Sequence, residues 1–503
     1  MVNVGHLLRH SAMCFPARPA ITWRGATIDY RSFDARSAVF AEWLASVGAA
    51  PAERVVLYLD NCPDLLVAMF GTYRAGSTVL PTNSRLTEQE LAFLVADGEA
   101  KVIVTDVGHV DTARRAAGDA RVVVTGDELG ALLDRRPTTL AVADVRPDDP
   151  AWIFYTSGTT GRPKGAMLSH AVLGFVTVSW LADLTPLDEH DVTLHAAPLS
   201  HGAGFHALAA VARAAHQLIP DTASFEPMAI LDVIRDHGVT NTWMVPTQIV
   251  MLTEAAERTG ITGRDLPSLQ HVVYGGAPIT PAAMNRALER FGSIFVQLFG
   301  QGETPMTITV LRREDHVPQL LGSAGRARPG IEVRIVGPDD APLPPGEVGE
   351  LVVRGPSVMT GYWKRPDATA EAIVGGWLHT GDLGRMSADG VVHLLDRAKD
   401  MIISGGSNVY AVEVEDVLAT HDSVADVAVV GIPDDLWGEL VVAAVVPAPG
   451  RELEPEALDA HARSQLAGYK IPRRYVALLA LPRNAYGKVV KRELRESLAQ
   501  ALR

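Results

Sequence analysis

Hydrophobic positions between residues 149 and 303 follow two alternating patterns. Short runs of β-branched and aromatic residues, closed by Gly, Pro or Asn, precede longer stretches in which apolar residues recur at helical spacing. The short runs predict strands at 152–156, 192–197, 242–245, 271–274 and 294–299, and the longer stretches predict helices at 169–184, 205–215, 248–258 and 281–291. Because repeated strand-then-helix order is typical of parallel sheets covered by helices, we expect an α/β fold, and the first 140 residues repeat the pattern.

The pattern changes after about residue 326. Short strands separated by Gly and Pro pairs predict a small antiparallel, β-barrel-like subdomain at about 326–396. Residues 401–503 predict a small α+β domain, with helices at 411–420 and 456–467 and strands at 424–431 and 441–446. We therefore expect a large N-terminal domain of parallel sheets wrapped by helices at 1–396, which includes the β-rich subdomain, and a small C-terminal domain.

Composition and charge exclude several classes of protein. The 503 residues, 47% of them hydrophobic, are enough for about three packed units. A net charge of −14 disfavours non-specific nucleic-acid binding, although segment 461–503 carries ten Lys and Arg against two acids. Two cysteines are too few for a disulfide framework or a thiolate metal cluster. The pattern predicts no secretory signal and no membrane span, so we expect a cytoplasmic protein without a nucleic-acid partner.

A loop rich in hydroxyls and glycine directly follows the predicted strand 152–156. Residues 156–165 read Thr-Ser-Gly-Thr-Thr-Gly-Arg-Pro-Lys-Gly. The backbone N–H groups and hydroxyls of such a loop can wrap a polyphosphate, with the Lys164 ammonium as a point charge. The loop is not a Walker A motif, which has Gly before the Lys and Ser or Thr after it, whereas Pro163 and Gly165 stand there. A flexible surface turn is the alternative interpretation.

Other motifs exclude some chemistries. The zinc-hydrolase pattern H-E-x-x-H and the serine-hydrolase pattern G-x-S-x-G do not occur. Residues 202–207 match the dinucleotide-binding pattern G-x-G-x-x-A, but a single match to so short a pattern often occurs by chance. His201 follows a predicted strand, at the edge where open α/β sheets bind ligands, so its position marks it as a candidate functional residue.

Seven short motifs together resemble those of adenylate-forming enzymes, the superfamily of acyl-CoA synthetases, peptide-synthetase adenylation domains and beetle luciferases. They are the loop 156–165, Pro-Leu-Ser-His at 198–201, Tyr-Gly-Gly-Ala-Pro at 274–278, Phe-Gly-Gln-Gly-Glu at 299–303, Thr-Gly-Asp at 380–382, Asp-Arg-Ala-Lys-Asp at 396–400 and Pro-Arg-Asn-Ala-Tyr-Gly-Lys at 482–488. Their order and approximate spacing match the superfamily over essentially the whole chain. The chain most resembles a bacterial acyl-CoA synthetase, an acid:CoA ligase.

The resemblance implies a two-step reaction. A carboxylate attacks the α-phosphorus of ATP to give an acyl-adenylate and pyrophosphate, and the thiol of coenzyme A then displaces AMP. Because the carboxylate is its own nucleophile, the protein needs no catalytic Ser or Cys and instead supplies positioning and positive charge. ATP, Mg²⁺ and coenzyme A are the implied cofactors.

The resemblance also implies roles in adenylation. Lys488 would bridge the substrate carboxylate and the α-phosphate, Glu303 would bind Mg²⁺, and Asp382 and Arg397 would contact the ribose. Phe299 would stack on one face of the adenine. The full set implied for ATP or AMP is Thr156, Ser157, Gly158, Thr159, Thr160, Lys164, Gly276, Ala277, Pro278, Phe299, Gly300, Gln301, Gly302, Glu303, Thr304, Asp382, Arg397 and Lys488, and the implied catalytic residues are Thr156, His201, Glu303 and Lys488.

The implied acyl pocket mixes aromatic, apolar and small side chains, which suggests a medium-sized or ring-bearing acid. Its residues are His201, Phe205, Trp243, Val245, Tyr274, Gly275, Leu298, Gly300 and Met306. One position departs from the family, because a Thr usually precedes the metal-binding Glu and here the residue is Gly302. Two expectations follow from this departure: Thr304 replaces the missing hydroxyl, and Gly302 opens room beside the acyl pocket.

The second step implies a moving domain. In the family the small C-terminal domain rotates, so a hinge at 397–400 with Lys399 and a mobile domain at 401–503 are implied. Gly405, Gly406 and Ser407 would line the coenzyme A channel, where glycine suits a thin wall. The basic side chains Lys470, Arg473 and Arg474 would attract the coenzyme A phosphates, and a solvated positive face is their alternative interpretation.

The expected partners are a small-molecule carboxylic acid, ATP and coenzyme A, and a homodimer is considered. Two alternatives remain open. The first is a freestanding adenylating enzyme that delivers its acyl group to a carrier-protein thiol or another nucleophile. The second is a non-catalytic nucleotide-binding regulator. Pyrophosphate release measured with and without coenzyme A distinguishes these alternatives from the ligase.

Overall fold

The computed structural model describes residues 3–156, 163–222, 224–397, 400–404, 407–434, 437–484 and 489–502. The helices are α1 (Gly5–Cys14), α2 (Tyr30–Ser46), α3 (Pro63–Arg74), α4 (Glu88–Asp97), α5 (Val110–Ala116), α6 (Asp127–Leu133), α7 (His170–Asp183), α8 (Gly202–Ala212), α9 (Pro227–Asp236), α10 (Pro246–Thr259), α11 (Pro281–Phe291), α12 (Pro366–Ala372), α13 (Ala411–Leu418), α14 (Pro455–Arg463) and α15 (Lys491–Ala501).

The strands are β1 (Pro19–Trp23), β2 (Ala26–Asp29), β3 (Arg54–Tyr58), β4 (Thr78–Pro81), β5 (Val102–Thr105), β6 (Arg121–Val124), β7 (Pro150–Thr156), β8 (Lys164–Ser169), β9 (Val192–Leu194), β10 (His216–Leu218), β11 (Asn241–Met244), β12 (His271–Tyr274), β13 (Phe295–Gln301), β14 (Thr304–Leu311), β15 (Arg326–Ala327), β16 (Glu332–Val336), β17 (Val348–Arg354), β18 (Gly361–Tyr362), β19 (Ile373–Val374), β20 (Trp377–Met386), β21 (Val392–Arg397), β22 (Ile402–Ser404), β23 (Ser407–Val409), β24 (Val424–Asp434), β25 (Gly438–Pro447) and β26 (Arg474–Ala477).

Two large sheets carry the N-terminal part of the chain. One has the order β15-β14-β13-β12-β11-β9-β10-β1-β2, and the other has the order β18-β8-β7-β4-β3-β5-β6. Pairing is parallel from β13 to β1 in the first sheet and from β7 to β6 in the second, and it is antiparallel elsewhere. One apolar core, which includes Trp152, Phe205 and Trp243, joins residues of both sheets. The α/β fold class predicted from the sequence is confirmed.

Local sequence explains where several helices begin. α2 follows Asp29 and α7 follows Ser169, and each of these side chains accepts a hydrogen bond from a backbone N–H in the first turn. α11 follows Thr280 with Pro281 in its first turn, which combines a hydroxyl cap with a residue whose missing N–H costs nothing there. Of these three helices, α11 begins beyond the carboxyl end of β12, whereas Asp29 and Ser169 lie opposite the first residues of β1 and β7.

Two smaller sheets complete the fold, and their strands pair antiparallel except for β26, which runs parallel to β25. The β-rich subdomain has the order β16-β17-β20-β19 with β21 beside β20, and the C-terminal sheet has the order β23-β22-β25-β24 with β26 beside β25. The C-terminal sheet has its own apolar core. The Asp396 carboxylate at the end of β21 accepts a hydrogen bond from the Ala411 N–H at the start of α13, at 2.8 Å. The hinge at 397–400 and the domain limits stay predictions.

Most predicted elements occur, and some differ in extent. The helix predicted at 281–291 and the strand predicted at 271–274 match in full, whereas the strand predicted at 192–197 ends at Leu194. The pattern did not predict β8, which begins at Lys164 and runs antiparallel to β7, or the helix α9. A search of the described helices for one of membrane-crossing length and apolarity finds none.

Candidate active site

A carboxylate at the turn between β13 and β14 joins three parts of the chain. Glu303 Oε1 accepts hydrogen bonds from the Thr156 hydroxyl at 3.0 Å and from the Tyr362 hydroxyl at 2.8 Å. Thr156 ends β7 in one large sheet, and Glu303 lies next to β14 in the other, so the two sheets meet at this point. Burial and the Glu303 charge raise the pKa of the Tyr362 hydroxyl, which therefore stays a hydrogen-bond donor.

Lys164 lies beside the tyrosine that donates to this carboxylate. It begins β8, and its Nζ lies 5.3 Å from the centroid of the Tyr362 ring, within the range of a cation–π contact. Tyr362 therefore touches both the carboxylate expected to bind Mg²⁺ and the lysine expected to bind phosphate. This tyrosine was missed in the sequence analysis, which placed the Gly-Tyr-Trp run at 361–363 inside the predicted β-rich subdomain and gave it no role.

A second polar group lies where β13 approaches the β-rich subdomain. The Asp382 carboxylate pairs with Arg397 Nε at 2.7 Å and accepts a hydrogen bond from the Gln301 amide at 2.6 Å. The Gln301 amide also donates to the Thr380 carbonyl at 2.9 Å. The Asp382 side chain is mostly buried and the Arg397 guanidinium is half exposed. The structure thus brings together the two residues expected around the ribose, Asp382 and Arg397, with Gln301 beside them.

The expected adenine wall follows β12. Gly276 has a φ of +85°, in the left-handed region that favours glycine, so the chain turns at this point before Ala277 and Pro278. A Cβ on the preceding Gly275 would lie 2.5 Å from the Leu298 carbonyl oxygen, which shows how closely the turn packs on β13. Phe299 is half-buried on β13 and packs against the core of the β-rich subdomain.

Aromatic side chains converge beside this turn. Trp152 stacks on Phe205 with ring centroids 4.5 Å apart, and Phe154 meets His201 edge-on at 4.9 Å. Trp243, Leu298 and Met306 belong to the same apolar core, with Val245 packed against it. The structure therefore groups His201, Phe205, Trp243, Val245, Leu298 and Met306 of the expected acyl pocket. Phe154 and Trp152 were missed, because a strand buried on both faces shows no alternation that would tell which side each residue faces.

Glycines let these groups come close together. A Cβ on Gly202 would lie 2.5 Å from Met306 Cε and 2.6 Å from Trp243 Cζ2, and a Cβ on Gly300 would lie 2.3 Å from the Met306 nitrogen. A Cβ on Gly302 would lie 2.3 Å from Thr156 Cγ2 and 2.7 Å from Phe154 Cδ1. The expectation that Gly302 opens room beside the acyl pocket is therefore wrong. Glycine is needed at position 302 because Thr156 and Phe154 already fill the space that a side chain would occupy.

Two further expectations are wrong. Thr304 is fully buried and its hydroxyl lies 2.8 Å from the Ser357 hydroxyl, so it faces the interior and cannot replace a hydroxyl at position 302. Tyr274 belongs to the core on the other face of the sheet, and its hydroxyl lies 3.0 Å from His316 Nε2. Side chains alternate along a strand, so Tyr274 lies opposite the face that carries the acyl-pocket residues.

Several predicted site residues lie outside the described residues. They are Ser157, Gly158, Thr159, Thr160, Lys399, Gly405, Gly406 and Lys488. Ser407 begins β23, and nothing is described of its side chain. Of the three basic residues expected near coenzyme A, Lys470 pairs with Glu413 at 2.5 Å and Arg473 lies 3.6 Å from the centroid of the Trp437 ring. The predicted roles of all these residues stay predictions.

Comparison with known proteins identifies the family. Residues 8–363 match the AMP-binding enzyme family, and residues 413–488 match the AMP-binding enzyme C-terminal domain. A feruloyl-CoA synthase of Amycolatopsis sp is 39% identical over 482 residues, which are 95% of this chain and 96% of the relative. A fatty acid–[acyl-carrier-protein] ligase ScoC of Streptomyces coeruleorubidus is 35% identical over 500 residues, 96% and 93% of the two chains. The structure of ATP-bound MatB from Rhodopseudomonas palustris is 30% identical, covers 100% of both chains and has a TM-score of 0.91.

The chain therefore belongs to the AMP-binding enzyme family, within the adenylate-forming superfamily. Its homologues place it among the ATP-dependent acid:CoA ligases, the acyl-CoA synthetases, which join an acid to a thiol and release AMP.

Proposed function

We propose that this acid:CoA ligase activates a medium-sized monocarboxylic acid that carries a ring. The observation that supports the proposal is the aromatic group at the site, where Phe154, Phe205 and Trp243 share one apolar core with Met306 and His201 meets Phe154 edge-on. Flat rings stack on such side chains with more contact area than a short aliphatic acid offers. The relative named as a feruloyl-CoA synthase acts on an acid of this kind, which is consistent with the proposal.

In the proposed first step, a carboxylate oxygen of the acid attacks the α-phosphorus of ATP and the bond to pyrophosphate breaks. Two anions approach each other, so cations and aimed donors lower the barrier. Lys164 would neutralise the departing phosphates, with Thr156 and the residues after it donating hydrogen bonds. Lys488 would bridge the carboxylate and the α-phosphate, and Asp382 would hold the ribose hydroxyls between Gln301 and Arg397.

The donor set near Glu303 fits Mg²⁺. This cation prefers hard oxygen ligands, keeps several waters and is commonly bound by one or two carboxylates together with substrate phosphates. The Glu303 carboxylate, flanked by the Thr156 and Tyr362 hydroxyls, supplies such a ligand. A Mg²⁺ bound here would withdraw charge from the triphosphate. The two hydroxyls orient the carboxylate for that role.

In the proposed second step, the coenzyme A sulfur attacks the acyl carbon of the adenylate and AMP leaves. This step needs the C-terminal domain to turn about residues 397–400, so that the segment 405–407 replaces Lys488 near the adenylate. The hydrogen bond between Asp396 and the Ala411 N–H lies at this junction and would be exchanged during the turn. We also propose that the reaction takes place in the cytoplasm, where ATP and reduced coenzyme A are available.

A panel of acids tests the proposal. The purified protein is supplied with ATP, Mg²⁺ and one acid (cinnamate, phenylacetate, hexanoate, palmitate, malonate or acetate), and pyrophosphate and acyl-CoA are measured with and without coenzyme A. We expect the ring-bearing acids to give the highest kcat/KM, with turnover dependent on coenzyme A. Lys488→Ala should lose adenylation, whereas Lys101→Ala, which removes an exposed lysine just before β5, should not.

Other outcomes would overturn the proposal. Highest activity with palmitate or acetate would reject the ring-bearing acid. Acid-dependent pyrophosphate release that coenzyme A leaves unchanged, without acyl-CoA, would support delivery to a carrier protein or another nucleophile. No acid-dependent release with any acid would support a nucleotide-binding regulator.

A further inference from the structure

Arg328 lies just before β16 with its side chain fully buried. It pairs with Asp183 at the end of α7, with Nη2 and Nε of Arg328 2.5 Å and 3.1 Å from Asp183 Oδ1. Taking two charges out of water is expensive, and a pair of apolar residues at such a site is often as stable. Stability alone therefore does not explain why this ion pair is buried here. The other hydrogen bonds of the guanidinium suggest a second role.

Nη1, and Nη2 in addition to its bond to Asp183, also donate to backbone carbonyls. Arg328 Nη1 donates to the Met306 carbonyl on β14 at 2.6 Å, and Nη2 donates to the Ser179 carbonyl on α7 at 2.6 Å. Because the guanidinium is planar, these bonds and the two to Asp183 fix Met306 relative to α7 in distance and direction. A lysine ammonium offers no such fork.

The backbone that Arg328 holds is strained. Met306 has a φ of +58°, a left-handed conformation that is uncommon for a residue other than Gly, Asn or Asp and persists only where its surroundings impose it. Gly300 permits the close approach of this backbone, because the Met306 nitrogen lies 2.3 Å from where a Cβ on that glycine would be. Arg328 holds the next peptide unit, on the other side of the Met306 Cα, through its bond to the Met306 carbonyl.

This backbone sets the position of the Met306 side chain. Met306 Cε lies 2.5 Å from where a Cβ on Gly202 would be, and Trp243 Cζ2 lies 2.6 Å from the same point. Met306 and Trp243 thus press together against the start of α8, next to His201. Methionine is flexible and would adopt several conformations if its backbone were free. With the backbone held, its side chain presents one surface to the pocket.

We propose that Arg328, paired with Asp183, is a positioning residue that sets the acid-size selectivity of the enzyme by holding Met306 against Gly202 and Trp243. This inference rests on the acyl pocket of the proposed function. It adds a residue outside the pocket that decides the shape of one pocket wall.

Arg328→Lys tests this role. Lysine keeps a positive charge for Asp183 and cannot also reach the Met306 and Ser179 carbonyls in the fixed geometry of the fork. The ratio of kcat/KM for cinnamate to that for hexanoate should change by about fivefold or more, since pocket contacts of one or two methylene groups change selectivity by at least that much. The KM for ATP should stay within about twofold, because Met306 is on the acid side of the site.

A double-mutant cycle shows whether Arg328 acts through Met306. Met306→Ala should itself change the ratio, and adding Arg328→Lys to it should change the ratio little further. Additive effects would overturn the proposal. If Arg328→Lys does not fold, the pair Arg328→Met with Asp183→Leu removes both charges together and should show the same change of selectivity.

Arg74 provides a matched control. Its guanidinium is equally buried, pairs with Asp34 and donates to the Leu140 carbonyl at 2.7 Å, so it holds α2, α3 and the chain near residue 140. Arg74→Lys should lower the unfolding temperature and leave the acid ratio unchanged. A lower unfolding temperature for Arg328→Lys with an unchanged ratio would show a structural role alone. Because wild-type activity on the acid panel is measured first, failure of the proposed function is recognised separately from failure of this inference.

Discussion

The family pattern and the structure make opposite predictions for a substitution at position 302. If the Thr usual at this position were simply missing, Gly302→Thr would restore a contact to the α-phosphate and improve the enzyme. The structure predicts the reverse, because a Cβ at Gly302 would lie 2.3 Å from Thr156 Cγ2 and 2.7 Å from Phe154 Cδ1. Thr156 is held by its bond to Glu303, and Phe154 is held by the packed aromatic group.

The magnitude follows from the packing. Extra atoms in a well-packed interior cost about 1–3 kcal/mol, so Gly302→Ala should lower the free energy of unfolding by that amount and Gly302→Thr by no less. The displaced group is the Thr156 hydroxyl, which orients Glu303. Since about 1.4 kcal/mol of lost transition-state stabilisation is a factor of ten, the kcat/KM for adenylation should fall about 10- to 100-fold.

The assay combines thermal unfolding with acid-dependent pyrophosphate release. Thr156→Ser removes the Cγ2 atom nearest the new methyl group and keeps the hydroxyl, so it should recover at least about 1 kcal/mol of the stability that Gly302→Ala loses. Gly174→Ala is the control: its Cβ would meet nothing within 4 Å, and it lies inside α7, where alanine favours the helix. A Gly302→Thr enzyme as stable and as active as wild type would refute the reasoning.

Three further predictions concern single side chains. Tyr362→Phe keeps the ring beside Lys164 and removes a donor to the Glu303 carboxylate, which is proposed to bind Mg²⁺, so adenylation should fall about tenfold and need more Mg²⁺, with Tyr155→Phe as control. Asp382→Asn should raise the KM for ATP about tenfold and leave the KM for the acid unchanged, as isotope-exchange kinetics would show. Burial lowers the pKa of His195 to about 4 and of His206 to about 3, so both are neutral in the folded state and take up protons on unfolding below about pH 6.5. The free energy of unfolding should thus fall by about 1.5 kcal/mol per histidine between pH 6.5 and 5, as denaturant titrations would show, and a flat profile would contradict this.

The fold was predictable from the sequence because its strands and helices have strong periodic patterns. Strand β12 and helix α11 match their predicted bounds, since Tyr274 is followed by glycines and Pro281 begins a helix with a clear apolar face. β8 was missed because Lys164–Ser169 contains two small residues and a lysine and has little β-branched character. Pairing between distant strands, such as β7 with β4, leaves no local signal at all.

The site was predictable only in part. The resemblance implied that Asp382 and Arg397 act on the same sugar, and the structure pairs these two side chains, whereas it did not imply that Tyr362 contacts Glu303. The errors at Tyr274 and Thr304 share a physical cause: both lie on strands, where a shift of one residue moves a side chain to the opposite face. Motif order identifies such a residue and does not tell which face it occupies.

Strand β14 connects a residue expected to bind the nucleotide with a residue expected to bind the acid. Glu303, just before β14, faces Thr156 and the expected phosphates, and Met306, three residues later, faces Trp243 and the expected acid. At about 3.3 Å per residue these positions are roughly 10 Å apart, which is about the distance from the α-phosphate across a carboxylate to a ring. A shift of this strand toward a larger acid would therefore also move Glu303. Variants of Met306 that only shorten its side chain should change acid selectivity alone, whereas variants that move the β14 backbone, such as Gly300→Ala, should weaken acid binding and adenylation together.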